Sequence, residues 1–97
     1  MARYVLSKKS EEDIESIYDY GKRKFGKDRA ILYLSEMGNC FENLSENPQI
    51  GRNRNEIKKE LYSFPYISHV IFYRIQKNHI RIIRILHGSR DLRRFLQ

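Results

Sequence analysis

Two runs rich in β-branched and aromatic residues dominate the last third of the chain. They are Ile-Ser-His-Val-Ile-Phe-Tyr-Arg-Ile (67–75) and Ile-Arg-Ile-Ile-Arg-Ile-Leu-His (80–87), separated by the polar break Gln76-Lys77-Asn78-His79. The pattern is that of a β-hairpin. Strand side chains alternate, so Ile80, Ile82, Arg84 and Leu86 are expected on one face and Arg81, Ile83, Ile85 and His87 on the other. Both faces are mostly apolar and both carry a cation, as in a strand covered on two sides whose basic groups surface near its end. A basic tail, Gly88 to Gln97, follows.

Upstream, Arg3-Tyr4-Val5-Leu6-Ser7 suggests a short strand. Ser10 opens Ser-Glu-Glu-Asp, a variant of the capping box, and is expected to start a helix. Ile14, Ile17, Tyr18, Gly21 and Phe25 recur at spacings of three and four, giving one apolar stripe, and Gly26 supplies the stop. Asp28 is expected to cap a second helix, with Ala30, Ile31, Leu34, Met37, Phe41 and Leu44 as its stripe, broadened by Tyr33 and Cys40. Gly38 inside it suggests a close backbone approach, and Asn47-Pro48 ends it. So short a linker folds the two helices back as an antiparallel αα-hairpin. Beyond the turn-rich stretch 47–55, Glu56 to Tyr62 suggests an edge strand carrying Ile57 and Leu61, broken by Phe64-Pro65-Tyr66.

The order βααβββ defines an α+β domain with the αα-hairpin packed on one face of a mainly antiparallel sheet. Connection rules leave the first strand's position in that sheet open. Two layers leave the sheet's second face without cover, although the last hairpin is apolar on both sides. The expectation is therefore an apolar sheet surface shielded by a second copy or by another protein.

Ninety-seven residues make a single domain. Cys40 is the sole cysteine, which excludes an internal disulfide and fits a reducing cytoplasm. Neither an N-terminal signal-like run nor a stretch of about 20 apolar residues occurs, which argues against secretion and membrane spanning. Charge changes the picture more. The chain is +7, and residues 74–97 alone carry seven Lys and Arg against Asp91. Such a distribution suits nucleic acid or an acidic protein.

Metal and phosphate-loop chemistry have no foothold in the residue spacing. His69, His79 and His87 fall on a strand, a turn and a strand end, and the glycines form no phosphate-binding run. A metal-free ribonuclease needs cations and acid–base groups. Arg81, Arg84 and Arg90 fit the first role and His87 the second, but no partner for His87 is evident. Arg84, sharing a face with Ile82 and Leu86, is expected to be partly buried and paired.

Ser-His-Val-Ile-Phe-Tyr-Arg (68–74), Ile-Arg-Ile-Ile-Arg-Ile-Leu-His (80–87) and Gly-Ser-Arg-Asp (88–91) resemble the C-terminal half of ParE-type toxins of the RelE/ParE superfamily. Asp13-Ile14, Ile17-Tyr18 and Glu46-Asn47-Pro48-Gln49-Ile50-Gly51 extend the likeness from about Tyr4 to Phe95. The resemblance implies the βααβββ fold and a cytoplasmic toxin of a type II toxin–antitoxin system. It further implies growth inhibition by trapping DNA gyrase on cleaved DNA, without an enzymatic activity of the toxin itself, and a ParD-like antitoxin whose C-terminal segment wraps the toxin. Superfamily members that cut ribosome-bound message use basic residues and a C-terminal aromatic or histidine. The absence of tyrosine after Tyr73 weakens that alternative, and His87, with Arg81 and Arg84, keeps it open. A member retaining only antitoxin binding is a third possibility.

Combining resemblance and residues, Tyr18, Leu34, Phe41 and Tyr73 are expected to meet the antitoxin. Arg90, Arg93, Arg94 and Phe95 are expected to meet gyrase or its DNA. No cofactor or metal is implied.

Overall fold

Ser7 joins the first strand to the first helix, and its local hydrogen bonds fix both. Its Oγ accepts from the Ser10 N–H at 3.0 Å, while the Ser10 hydroxyl donates to the Ser7 carbonyl at 2.8 Å. Ser7, rather than Ser10, is thus the helix cap; Ser10 lies one turn in, fully buried. The computed structural model describes residues 3–89 and 92–96, Phe95 by its backbone alone. The elements are β1 (Tyr4–Leu6), α1 (Lys8–Phe25), α2 (Lys27–Glu46), a 3-10 turn (Pro48–Ile50), β2 (Arg52–Asn53), β3 (Tyr62–Tyr66), β4 (His69–Ile75), β5 (Ile80–His87) and α3 (Leu92–Leu96).

Gly26, at φ +95°, both ends α1 and precedes α2, so Asp28 sits in the first turn of α2 instead of capping it. The close helix–helix approach lies at Gly21, where an added Cβ would stand 3.4 Å from the Ala30 Cβ. Gly38, by contrast, faces open space. Phe25 closes the α1 stripe in sequence but is 55% exposed.

The sheet order is β1-β5-β4-β3-β2, with β1 parallel to β5 and the other pairs antiparallel. The helices connect β1 at one edge of the sheet to β2 at the other and pack on one face. There Met37, Phe41 and Leu44 of α2 meet Ile71, Tyr73, Ile80, Ile82 and Ile85. Of the predicted strand 56–62, residues 56–61 are instead a folded loop and only Tyr62 is in a strand. Asn53 and Asn55 accept from the Asn55 and Glu60 N–H groups at 2.9 and 2.7 Å, and Glu60 takes φ +61°. Tyr62–Tyr66 forms the strand despite Pro65. β2 pairs only with Tyr62 and Ser63, so the edge beside Pro65 needs no donor.

A register shift at Phe72/Tyr73 breaks the expected alternation in β5. Phe72 pairs with Arg84 and Tyr73 with Ile82, leaving Ile83 as the bulged residue. Ile82 and Ile85 therefore point toward the helices, while Ile83 and Leu86 point away. Nor is the second sheet face bare. Leu61 and Ile57 of the folded loop and Leu92 and Leu96 of α3 pack over Val70, Phe72, Ile83 and Leu86. The chain covers this face itself, which removes the expected need for a partner there.

Tyr73 anchors the loop after α2. Its hydroxyl donates to the Pro48 carbonyl at 2.7 Å and occupies the space that a side chain at Gly51 would need. Burial pushes its phenol up to about 12. A raised folded-state value means stability present at neutral pH and lost as pH rises from about 10 through about 12. Alkaline melts should show this loss, and Tyr73→Phe should reduce its steepness; an unchanged pH profile would contradict the burial argument. Gly38→Ala should raise stability by about 0.5–1 kcal/mol in urea melts, since the added methyl meets nothing and glycine is a poor helix former.

Candidate functional site: a groove between the helix hairpin and the sheet end

Beyond Leu6, β1 ends and the edge of β5 would be open. Asp13, two turns into α1, fills the gap. Its carboxylate accepts from Arg84 Nε at 2.9 Å, from Arg84 Nη2 at 3.0 Å and from the Ile85 N–H at 2.9 Å. Both side chains are largely buried, 13% and 14% exposed. The carboxylate holds the Arg84 guanidinium above its already high value. Ser7 adds a second tie at the bulge, donating from Oγ to the Ile83 carbonyl at 2.8 Å.

This junction forms one wall of a groove of about 1130 Å³ that runs between α1, the start of α2 and the β3–β4 turn. The groove is open, and its walls mix apolar side chains with Glu12, Lys24, Arg29 and Glu36. Tyr20 is 53%, Phe25 55%, Leu32 58% and Ile67 72% exposed, a concentration of large side chains that a solvated surface does not require. Ile67 is held outward at the turn by φ +51°, unusual for a β-branched residue.

At the groove's far end, His69 and His87 are cross-strand partners with ring centroids 5.5 Å apart. Tyr33 Oη lies 2.7 Å from His69 Nδ1, and the Tyr66 hydroxyl donates to the Tyr33 carbonyl at 3.0 Å. Burial raises the Tyr33 phenol, so it stays protonated near neutrality. The Ser89 N–H donates to His87 Nδ1 at 3.2 Å, with Ser89 Oγ 2.7 Å from the same nitrogen. Nδ1 is thus an acceptor, and the neutral ring carries its proton on Nε2. His69 is the partner for His87 that residue spacing missed; counting along the strands from the Ile75–Ile80 pair sets His69 opposite Leu86, and the bulge at Ile83 shifts it opposite His87.

The proposed nuclease set does not assemble. Arg81 and His87 stand six positions apart on β5, about 20 Å at strand rise, and Arg84 is committed to Asp13. The residues expected to meet an antitoxin separate into two groups. Phe41 and Tyr73 are 3% and 0% exposed and belong to the core, Phe41 on the α2 stripe that faces the sheet and Tyr73 on the sheet face that meets the helices. Tyr18 and Leu34 are half-buried and share a second, shallower hollow with Ile14. Arg93 and Arg94 are exposed on α3, while Arg90 and the Phe95 side chain lie outside the described residues. Cys40 packs beside the core and burial pushes its thiol up, away from reactivity. Among the described residues, no His, Cys, Asp and Glu groups converge as metal ligands, and no helix is long and apolar enough to cross a membrane.

The model of the family described as ParE toxin of type II toxin–antitoxin system, parDE, matches residues 4–92. The chain is 33% identical over 96 residues to Toxin ParE1 of Mycobacterium tuberculosis, covering 98% of each. To Toxin ParE1 of Caulobacter vibrioides it is 30% identical over 96 residues, covering 99% of each. A solved chain from the chromosomal ParDE TA system of P. aeruginosa superposes with a TM-score of 0.77 over 90% of this chain and 96% of that one. At 18% identity this is a likeness of fold.

Removing the acceptor at the junction should be costly. Asp13→Ala strands a partly buried guanidinium and a sheet N–H, and should lower stability by about 2–4 kcal/mol in denaturant melts. Asp13→Asn keeps one acceptor and should cost less; equal, small effects for both would show that the junction contributes little.

Proposed function

The chain belongs to the ParE toxin family of type II toxin–antitoxin systems, and from that premise we propose that it arrests growth by poisoning DNA gyrase. In this reading it traps gyrase on cleaved DNA in the cytoplasm, without enzymatic activity of its own. A ParD-like antitoxin neutralises it by laying an apolar segment into the groove between the helix hairpin and the β3–β4 turn.

The carrying observation is the exposed set Tyr20, Phe25, Leu32 and Ile67. The outer sheet face is filled by the chain's own Leu61, Leu92 and Leu96, whereas the groove leaves four large apolar side chains exposed together for a partner to cover. Covering the exposed half of each such side chain contributes about 1 kcal/mol. The groove also ends at His87 and Ser89, from which the tail departs, so an occupant there contacts the root of the segment assigned to the target. Arg93 and Arg94, with Arg90 and Phe95 beside them in sequence, meet gyrase or its DNA. The separation of Arg81 from His87 and the engagement of Arg84 by Asp13 speak for an inhibitor over a nuclease.

One observation favours a second reading: the His69 and His87 rings meet edge to face with centroids 5.5 Å apart, two imidazoles side by side of the kind a ribosome-dependent endonuclease uses. The two readings part in vitro. Purified toxin should block gyrase supercoiling and accumulate cleaved plasmid; normal supercoiling at micromolar toxin contradicts the first reading. Cleavage of ribosome-bound message that disappears in His87→Ala would establish the second. Replacing Arg90, Arg93 and Arg94 by Ala should reduce toxicity while antitoxin binding persists. Leu32→Asp combined with Ile67→Asp should leave the fold intact, since both are exposed, and weaken antitoxin binding by about 10-fold or more. Undiminished affinity would place the antitoxin elsewhere.

A further inference from the structure

Charge is segregated between the two layers. The helices 8–25 and 27–46 hold seven Lys and Arg against nine Asp and Glu, net −2, so with a total of +7 the rest of the chain carries +9. Part of that excess gathers on the outer face of the sheet. Arg74 and Arg81 are directly paired across β4 and β5, which puts two guanidinium groups on one face with nothing between the strands to separate them. Like charges so placed repel, a repulsion that a bound anion would relieve.

Arg74 is oriented by its surroundings. Its Nη2 donates to the Lys59 carbonyl at 3.3 Å, while its Nε is buried without a hydrogen-bond partner among the described residues. Lys58 and Lys59 of the folded loop are exposed beside it, and Arg81 is exposed on the next strand. The loop and α3 pack on this same face through Ile57, Leu61, Leu92 and Leu96, which leaves Arg93 and Arg94 exposed on the same side of the molecule. Of the acids carried by the loop, Glu56 is already held by Arg54 at 2.7 Å, leaving Glu60.

We propose that this outer face, centred on the Arg74–Arg81 pair, binds the phosphate backbone of duplex DNA without sequence preference. Two features select a duplex over a single strand. Single-strand sites combine cations with aromatic platforms on which bases stack. The exposed aromatic side chains among the described residues, Tyr20 and Phe25, are both on α1, in the other layer. The outer face offers an excess of cations without an exposed aromatic ring among the described residues, which is the chemistry of backbone contact. The binding lies on the opposite side of the sheet from the groove, so an antitoxin in the groove leaves it open. It does not depend on gyrase being the target.

The test is fluorescence anisotropy of a labelled random-sequence 20-base-pair duplex with the full chain, in the absence of gyrase. If about four phosphates are engaged, affinity should fall on the order of 100-fold between 50 and 200 mM salt. R74Q and R81Q together should reduce the magnitude of the salt slope by about 2. R23Q with K27Q, which removes the same charge from the helix layer, should leave binding within about 2-fold, a margin that separates a local patch from net charge. Unchanged antitoxin binding by R74Q/R81Q shows that the pair is still folded. No duplex binding at 50 mM salt overturns the proposal, as does equal loss in both variant pairs. Tighter binding to single-stranded DNA, to RNA or to polyglutamate overturns it as well. Because gyrase is absent, duplex binding alongside normal supercoiling would refute the gyrase reading alone.

Discussion

A single carboxylate holds the two layers in register. Asp13 takes both an arginine fork and a backbone N–H from β5, at the point where β1 has stopped and the sheet edge would otherwise face solvent. Charge-assisted bonds of this kind are about twice as strong as neutral ones, and here they are shielded from water on most sides. Three consequences follow. The helix hairpin is fixed against the end of β5, the groove acquires a rigid wall, and the guanidinium of Arg84 is tied up in structure. The bulge at Ile83 is part of the same device: it breaks the strand's alternation just where the chain must present Arg84 and the Ile85 N–H to α1.

With the layers locked, the molecule has two dissimilar sides. Toward the helices lies an open groove ending in the His69–His87 pair. Away from them, the sheet is dry because the chain folds its own loop and tail over it, and the charged positions described in those covering segments are mainly basic, Arg54, Lys58, Lys59, Arg93 and Arg94 against Glu56 and Glu60. A toxin that must be both silenced and able to reach its target benefits from such a division. In the proposed function, one side receives an apolar segment and the other keeps its charge.

The fold was largely legible because it rests on strong local signals: two amphipathic helices split at Gly26, and a β-branched hairpin. What was not legible depended on pairing. Ser7 and Ser10 are equally plausible caps in sequence, and the choice falls to Ser7 because its hydroxyl also reaches the Ile83 carbonyl from across the sheet. The strand 56–62 failed because charged residues with two apolar positions are weak evidence of a strand, while Asn53 and Asn55 offer side-chain acceptors that close a loop. Pro65 broke the expectation for β3, yet on an unpaired edge its missing donor costs nothing. The bulge, which decides whether Ile82 and Ile83 share a face, left no trace in the alternation. For the site, Phe41 and Tyr73 misled because an aromatic stripe signals burial as readily as contact. Leu32 and Ile67 were passed over because nothing in a sequence marks an apolar residue as exposed. His69 was invisible as a partner of His87 until the hairpin register joined them.

The central claim is that the helix-side groove receives the antitoxin while the outer sheet face stays open. Amide hydrogen exchange on the toxin, free and saturated with a ParD-like antitoxin, tests it most directly. Protection should appear along residues 17–33 and at 67–69, with the 54–61 loop and α3 exchanging as in the free chain. Protection concentrated on that loop and on α3, with the groove unchanged, would contradict the account.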